Sequence, residues 1–193
     1  MGMVAWESDP LLGSAMLDAA DDFQAATFNL MHGYYKQSIG ALRTAVEVVM
    51  LAATCRIEKK EPRPDVSWDP IAEWKKWEMG SVINFSVLHH RLSDWGACHK
   101  DKRRREAVSV SEAARLLYRR LSEYIHARST CSNAALWESN GPIWHPAAFA
   151  VASDLQIDTY CVLYRLVKLA RPRFRVEDVI RKEIAARGAT SLE

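Results

Sequence analysis

Residues 34–56 read YYKQSIGALRTAVEVVMLAATCR. Within them Tyr35, Ile39, Leu42, Val46, Val49 and Ala53 recur at alternating steps of four and three. That is the period of one helix face, so the stretch predicts a helix from about Tyr34 to Arg56 with a continuous apolar stripe. Lys36, Arg43 and Glu47 fall together on another face, with Arg43 and Glu47 one turn apart. A pair at this spacing is either a solvated ion pair, worth about 0.2–0.5 kcal/mol, or a polar pair that supports a site.

The same period recurs outward in both directions. Met16, Ala19, Phe23, Ala26 and Leu30 predict a first helix from about Ser14 to Met31. Pro62, Pro64 and Pro70 break the pattern and predict a loop over 57–70. A short helix over Ile71 to Glu78 and a longer one over Ser81 to Leu92 follow. The charged run from His99 to Glu106 reads as a connector. Ser109 and Glu112 have capping-box spacing and predict a helix start there, continued by Ala113, Leu116, Leu117, Leu121, Tyr124 and Ile125. Residues 128–146 are turn-rich, Ala147 to Leu169 reads as a long helix, and Val176 to Arg187 as a last amphipathic one. No stretch alternates with period two. The expected architecture is all-α: an antiparallel four-helix-type bundle with additional short helices. It forms one domain over 1–193, with its core over about 14–172.

Composition agrees. The 193 residues are 49% hydrophobic and 26% charged, with 8 Gly and 7 Pro. These values exclude collagen-like and disordered chains. A formal net charge of +2 excludes a histone-like binder but leaves room for a local basic patch. The longest clean apolar run, Val48 to Ala53, is far shorter than a membrane span, so no membrane is expected. Glu7 and Asp9 stand where a secretory leader would be basic, and Gly2 lacks the Ser or Thr at position 6 of a myristoylation signal. Cys55, Cys98, Cys131 and Cys161 form no CxxC pair and read as reduced thiols of a cytoplasmic protein.

One short segment concentrates chemistry. In Tyr118-Arg-Arg-Leu-Ser-Glu-Tyr-Ile-His126, Arg119 and His126 are two helical turns apart, and Glu123 lies between them on the same face. The imidazole is suited to proton transfer near neutral pH, and the guanidinium to holding a phosphate. Together they suit phosphodiester cleavage without a metal, with Glu123 orienting either partner. The competing reading is an ordinary surface pair, with His126 placed favourably at a helix C-terminus.

The spacing Arg119-x6-His126, or Arg120-x5-His126, resembles the Arg-x(4–6)-His motif of the HEPN (higher eukaryotes and prokaryotes nucleotide-binding) superfamily. Gly33 to Glu47 resembles the earlier bundle helix of bacterial members, and the apolar helix ending in Ala170-Arg-Pro172 the one that follows. The resemblance covers about half the chain, over 30–57 and 109–172. It implies a four-helix bundle that pairs as a homodimer, with Arg and His of both protomers lining a shared cleft. It further implies an endoribonuclease that needs no metal or other cofactor, of the kind found in toxin–antitoxin, anti-phage or RNA-processing systems. Its partners would be RNA and an antitoxin or defence protein. His126 would serve as acid/base and Arg119 would steady the phosphate. Arg119 is preferred to Arg120 because a polar residue follows it, as the family pattern favours. Other members are inactive and bind nucleotide, RNA or a partner protein.

Lys100, Lys102, Arg103, Arg104 and Arg105 would track an RNA backbone, or form a solvated loop. Adjacent His89 and His90 point about 100° apart on a helix and, even with Cys98 and His99 near in sequence, do not suit one ion, so no metal is expected. No P-loop, GxGxxG or GxSxG occurs. Three readings stand: a HEPN-type ribonuclease, a non-catalytic HEPN-like binding module, and a bundle whose motif is accidental.

Overall fold

The computed structural model describes residues 10–62, 68–97, 101–126, 142–174 and 182. They form α1 (Pro10–Met31), α2 (Tyr35–Lys60), α3 (Pro70–Glu78), α4 (Phe85–Ala97), α5 (Lys102–Ile125) and α6 (Pro146–Ala170), with no strand among the described residues. The fold is the expected all-α bundle. The last amphipathic segment, 176–187, apart from Lys182, and most of the turn-rich stretch 128–146 lie outside the described residues.

Side-chain contacts fix the directions of the helices. Arg103 near the start of α5 bonds Glu61 just past the end of α2 at 2.9 Å, so α2 and α5 run antiparallel. The same Arg103 donates to the Leu169 carbonyl at the end of α6, so α6 runs with α2. Gln156 of α6 bonds Thr27 of α1, and the Phe23 and Tyr160 rings meet edge to face. Four long helices therefore alternate, α1 and α5 against α2 and α6. α3 and α4 pack on α2, and α4 also lies along α5.

α2 touches every other described helix. Its residues Val48 to Cys55 are all buried, so this segment is enclosed on every side rather than along one stripe. By length and composition α2 could cross a membrane, but 72% of its most apolar window is buried inside the bundle. A helix that is apolar all round is stable in water only as the centre of a core. Near its end Glu58 is buried and forms an ion pair with buried Arg91 of α4, whose guanidinium lies 4.1 Å from the Trp68 ring.

Several boundaries differ from the sequence expectation, and α1 begins at Pro10 rather than Ser14. α2 continues to Lys60, where Pro62 follows, rather than ending at Arg56. α4 begins at Phe85 and runs to Ala97, rather than spanning Ser81 to Leu92. α5 begins at Lys102, so residues 102–106 of the charged connector are helical and the capping box at Ser109 does not form. Asp101 caps instead, its carboxylate accepting from the Arg104 N–H at 2.9 Å. Ser109 accepts a hydrogen bond from Arg165 of α6, and Glu112 bonds Arg115. Arginine and lysine are good helix formers, and here the Arg103 and Arg104 guanidiniums lie over the Trp95 ring, 5.2 and 3.9 Å from its centre, so the charge does not end the helix.

Two glycines set close approaches. Gly33, at φ +77°, turns the chain between α1 and α2, and a Cβ there would lie 2.5 Å from the Ile143 carbonyl oxygen. A Cβ on Gly96 would lie 2.7 Å from the Arg104 carbonyl oxygen, so α4 and α5 come together because that position carries no side chain.

Candidate functional site

The last two turns of α5 carry Arg119, Glu123 and His126. Arg119 Nε donates to Glu123 Oε1 at 2.9 Å; the arginine side chain is 70% exposed and the glutamate 22%. His126 is the C-cap, its N–H bonded to the Ser122 carbonyl at 3.0 Å, and its side chain is exposed. Arg120 turns elsewhere, reaching Asp158 of α6 at 3.6 Å. The two neighbouring arginines thus separate: Arg120 ties α5 to α6, while Arg119 bonds Glu123 within the His126 end of α5.

Arg43 and Glu47 do reach α5, but at Tyr118. Arg43 donates to the Tyr118 hydroxyl at 2.5 Å, that hydroxyl donates to Glu47 Oε1 at 2.6 Å, and the Arg43–Glu47 pair closes the triangle at 3.1 Å. The Phe85 ring stacks flat on Tyr118 with centroids 4.1 Å apart. Burial pushes the Tyr118 phenol up, and its bond to Glu47 adds to that. Burial works to lower the Arg43 value, but the bond to Tyr118 and the Glu47 carboxylate outweigh it, and the guanidinium is held more firmly charged. Nearby on α1, Asp22 is raised from 3.8 to about 6, by burial first and then by Asp18, Asp21 and Glu47. The triangle is a half-buried clasp between α2 and α5. Tyr118 carries no spacing signal, because both its partners lie on another helix more than seventy residues away.

The basic run divides. Lys102 and Arg105 are exposed, and Lys100 lies outside the described residues. Arg103 bonds Glu61 and the Leu169 carbonyl. Arg104 bonds Glu61 at 2.7 Å and the Trp95 carbonyl at 2.5 Å, with its guanidinium 3.9 Å from the Trp95 ring centre. Both arginines are therefore structural ties as well as surface charge, and the picture of a free solvated loop is corrected. At α4, His89 Nε2 approaches Glu112 at 3.4 Å, and the His89 and His90 rings lie at 67°. Burial lowers the His89 value, with His90 adding to it. Cys98 and His99 lie outside the described residues. Among the described residues no three His, Cys, Asp or Glu side chains are grouped to hold a metal ion.

No protein-family model, no curated protein and no solved structure matches the chain.

Proposed function

We propose that this chain is a HEPN-type endoribonuclease of the cytoplasm, acting as a homodimer and cleaving RNA without a metal. As a toxin or anti-phage component it would answer to an antitoxin or defence partner. The observation that carries the reading is that Arg119, in the last two turns of α5, and His126, at its C-cap, are both exposed. Exposed groups of these two types can meet a phosphodiester, whereas buried ones cannot.

In this mechanism the ribose 2′-OH attacks the adjacent phosphorus. His126 takes the hydroxyl proton, the new P–O2′ bond forms, and the P–O5′ bond breaks. The departing 5′ oxygen takes a proton from a second imidazole, that of the other copy. Arg119 offsets the charge that builds on the phosphoryl oxygens, and Glu123 orients its guanidinium. The products are a 2′,3′-cyclic phosphate and a 5′-OH end. Seven residues of helix separate Arg119 from His126 by about 10 Å along the axis, which favours a site completed across two copies.

The test is RNA cleavage in EDTA by the parent, His126→Ala and Arg119→Ala. Loss in both variants, with cyclic-phosphate ends from the parent, is the expected result. Equal cleavage by His126→Ala sinks the reading. The Arg119–Glu123 pair favours a second reading, a non-catalytic module for RNA, nucleotide or partner binding, because it partly neutralises the guanidinium. A parent that binds but does not cut varied RNAs selects that reading.

A further inference from the structure

The end of the bundle where α1 finishes and α2 and α6 start carries an exposed aromatic tip. α5 runs against α2 and finishes at this end too, so its C-cap His126 shares it. On the last turn of α1, Phe28 is 62% exposed, and Met31 and His32 are exposed with it. His32 Nδ1 donates to the Phe28 carbonyl at 2.7 Å, which holds the imidazole beside the Phe28 ring, centroids 4.1 Å apart. The Ile143 backbone lies against Gly33 in the turn that follows, and this brings Trp144 to the same tip. Trp144 is 61% exposed and rests on Phe149 of α6, centroids 4.7 Å apart. The next residue is anchored, the His145 N–H donating to the Tyr35 hydroxyl at 2.9 Å. Two ring pairs, one from α1 and one from the start of α6, are thus held at the surface. Exposed aromatic and apolar side chains gathered in one place mark a surface that meets a partner. The charge there narrows the kind. The chain holds 24 Asp and Glu, yet neither 28–37 nor 142–150 contains one, while Lys36 stands exposed.

We propose that Phe28, His32 and Trp144 form a stacking platform for the bases of single-stranded RNA, with Lys36 on its backbone. The proposal rests on the reading that RNA is the substrate, and it names the form of RNA as unpaired. A nucleobase offers a flat face to an aromatic ring, whichever base it is, and a polyanion is met best where carboxylates are missing. In a duplex those faces are already stacked on one another, so only an unpaired strand can use the platform. A lipid surface would also take Phe28, Met31 and Trp144, but it gives no role to the ordered ring pair of Phe28 and His32.

The test is fluorescence anisotropy of a labelled single-stranded 2′-O-methyl oligonucleotide with the full chain. That strand has no 2′-OH to attack, so binding is read apart from cleavage. The parent is expected to bind, and Trp144→Ala and Phe28→Ala each to weaken binding about tenfold or more. Lys36→Gln is expected to lower the salt dependence of binding. Met79→Ala with Val82→Ala, exposed apolar side chains between α3 and α4, is expected to change nothing. These side chains are exposed, so each variant is expected to keep the parent's Tm, and the strand annealed to its complement to bind more weakly. No binding by the parent at submillimolar strand overturns the proposal. So does equal affinity in both Trp144→Ala and Phe28→Ala, or equal affinity for the duplex. Binding to phosphatidylcholine–phosphatidylglycerol vesicles that Trp144→Ala abolishes, with no binding of the strand, assigns the tip to lipid and overturns it as well. A parent that binds the strand through Trp144 but leaves ordinary RNA uncut keeps the platform and removes only the cleavage reading. A parent that cuts RNA, with KM unchanged in Trp144→Ala and Phe28→Ala, removes only the platform.

Discussion

The two ends of α5 hold similar chemistry and use it differently. At its start, the arginine-rich run includes Arg103 and Arg104, bonded to Glu61, to two helix carbonyls and to the Trp95 ring. At its finish, Arg119 pairs with Glu123 one turn on, and Arg119 and His126 are exposed. Charge density along a sequence is therefore a poor guide to which charges meet a ligand. A guanidinium that caps a helix and stacks on tryptophan contributes to stability, and one that bonds only its i+4 neighbour is available for other work.

That contrast can be broken by experiment. The largest expected effect is on activity at the finish: His126→Ala should cut RNA cleavage about 10²–10⁴-fold with no change in Tm. A fall in Tm would make His126 structural and erase the contrast. At the start, Arg104→Ala should cost about 2–3 kcal/mol in urea unfolding, because it strips bonds from Glu61 and a helix carbonyl. Between the ends, Tyr118→Phe should cost about 1–2 kcal/mol, keeping the stack on Phe85 but leaving Arg43 and Glu47 without their shared hydroxyl.

A pH series probes the same clasp from the other side. Asp22 is raised to about 6 from 3.8, so the folded state takes up its proton first as pH falls. Its contribution to stability is full below about pH 4 and lost as pH rises through about 6. Asp22→Asn should flatten that slope in unfolding curves recorded from pH 4 to 7. The smallest effect is Arg119→Ala, expected to change stability by no more than about 0.5 kcal/mol. A larger loss would mean that this arginine, too, is a structural tie.

The helices were legible because each packs an apolar side, and burial imposes the 3.6-residue period on its sequence. Residues 34–56 announced the bundle in that way, and α1 and α6 followed. The start of α5 was misread for a physical reason. Capping-box spacing points to Ser109, whereas Asp101 caps the helix and Arg103 and Arg104 lie against the Trp95 ring of α4, a contact that local spacing does not encode. Within the candidate site, the Arg119–Glu123 pair was readable from helical spacing. The different fates of Arg119 and Arg120 were not, since Asp158 lies on another helix.

By itself, then, the sequence determined the helical class, the long helices and the one-turn spacing of Arg119 and Glu123 on α5. These depend on neighbours three, four and seven residues away, which a chain carries in its own order. Only the tertiary structure decided that α2 is enclosed on all sides, that Arg43 and Glu47 clasp Tyr118, and that Arg56 and Arg103 meet on the last carbonyls of α6. Those pairings join residues up to 114 positions apart, and no local pattern encodes which helix ends meet.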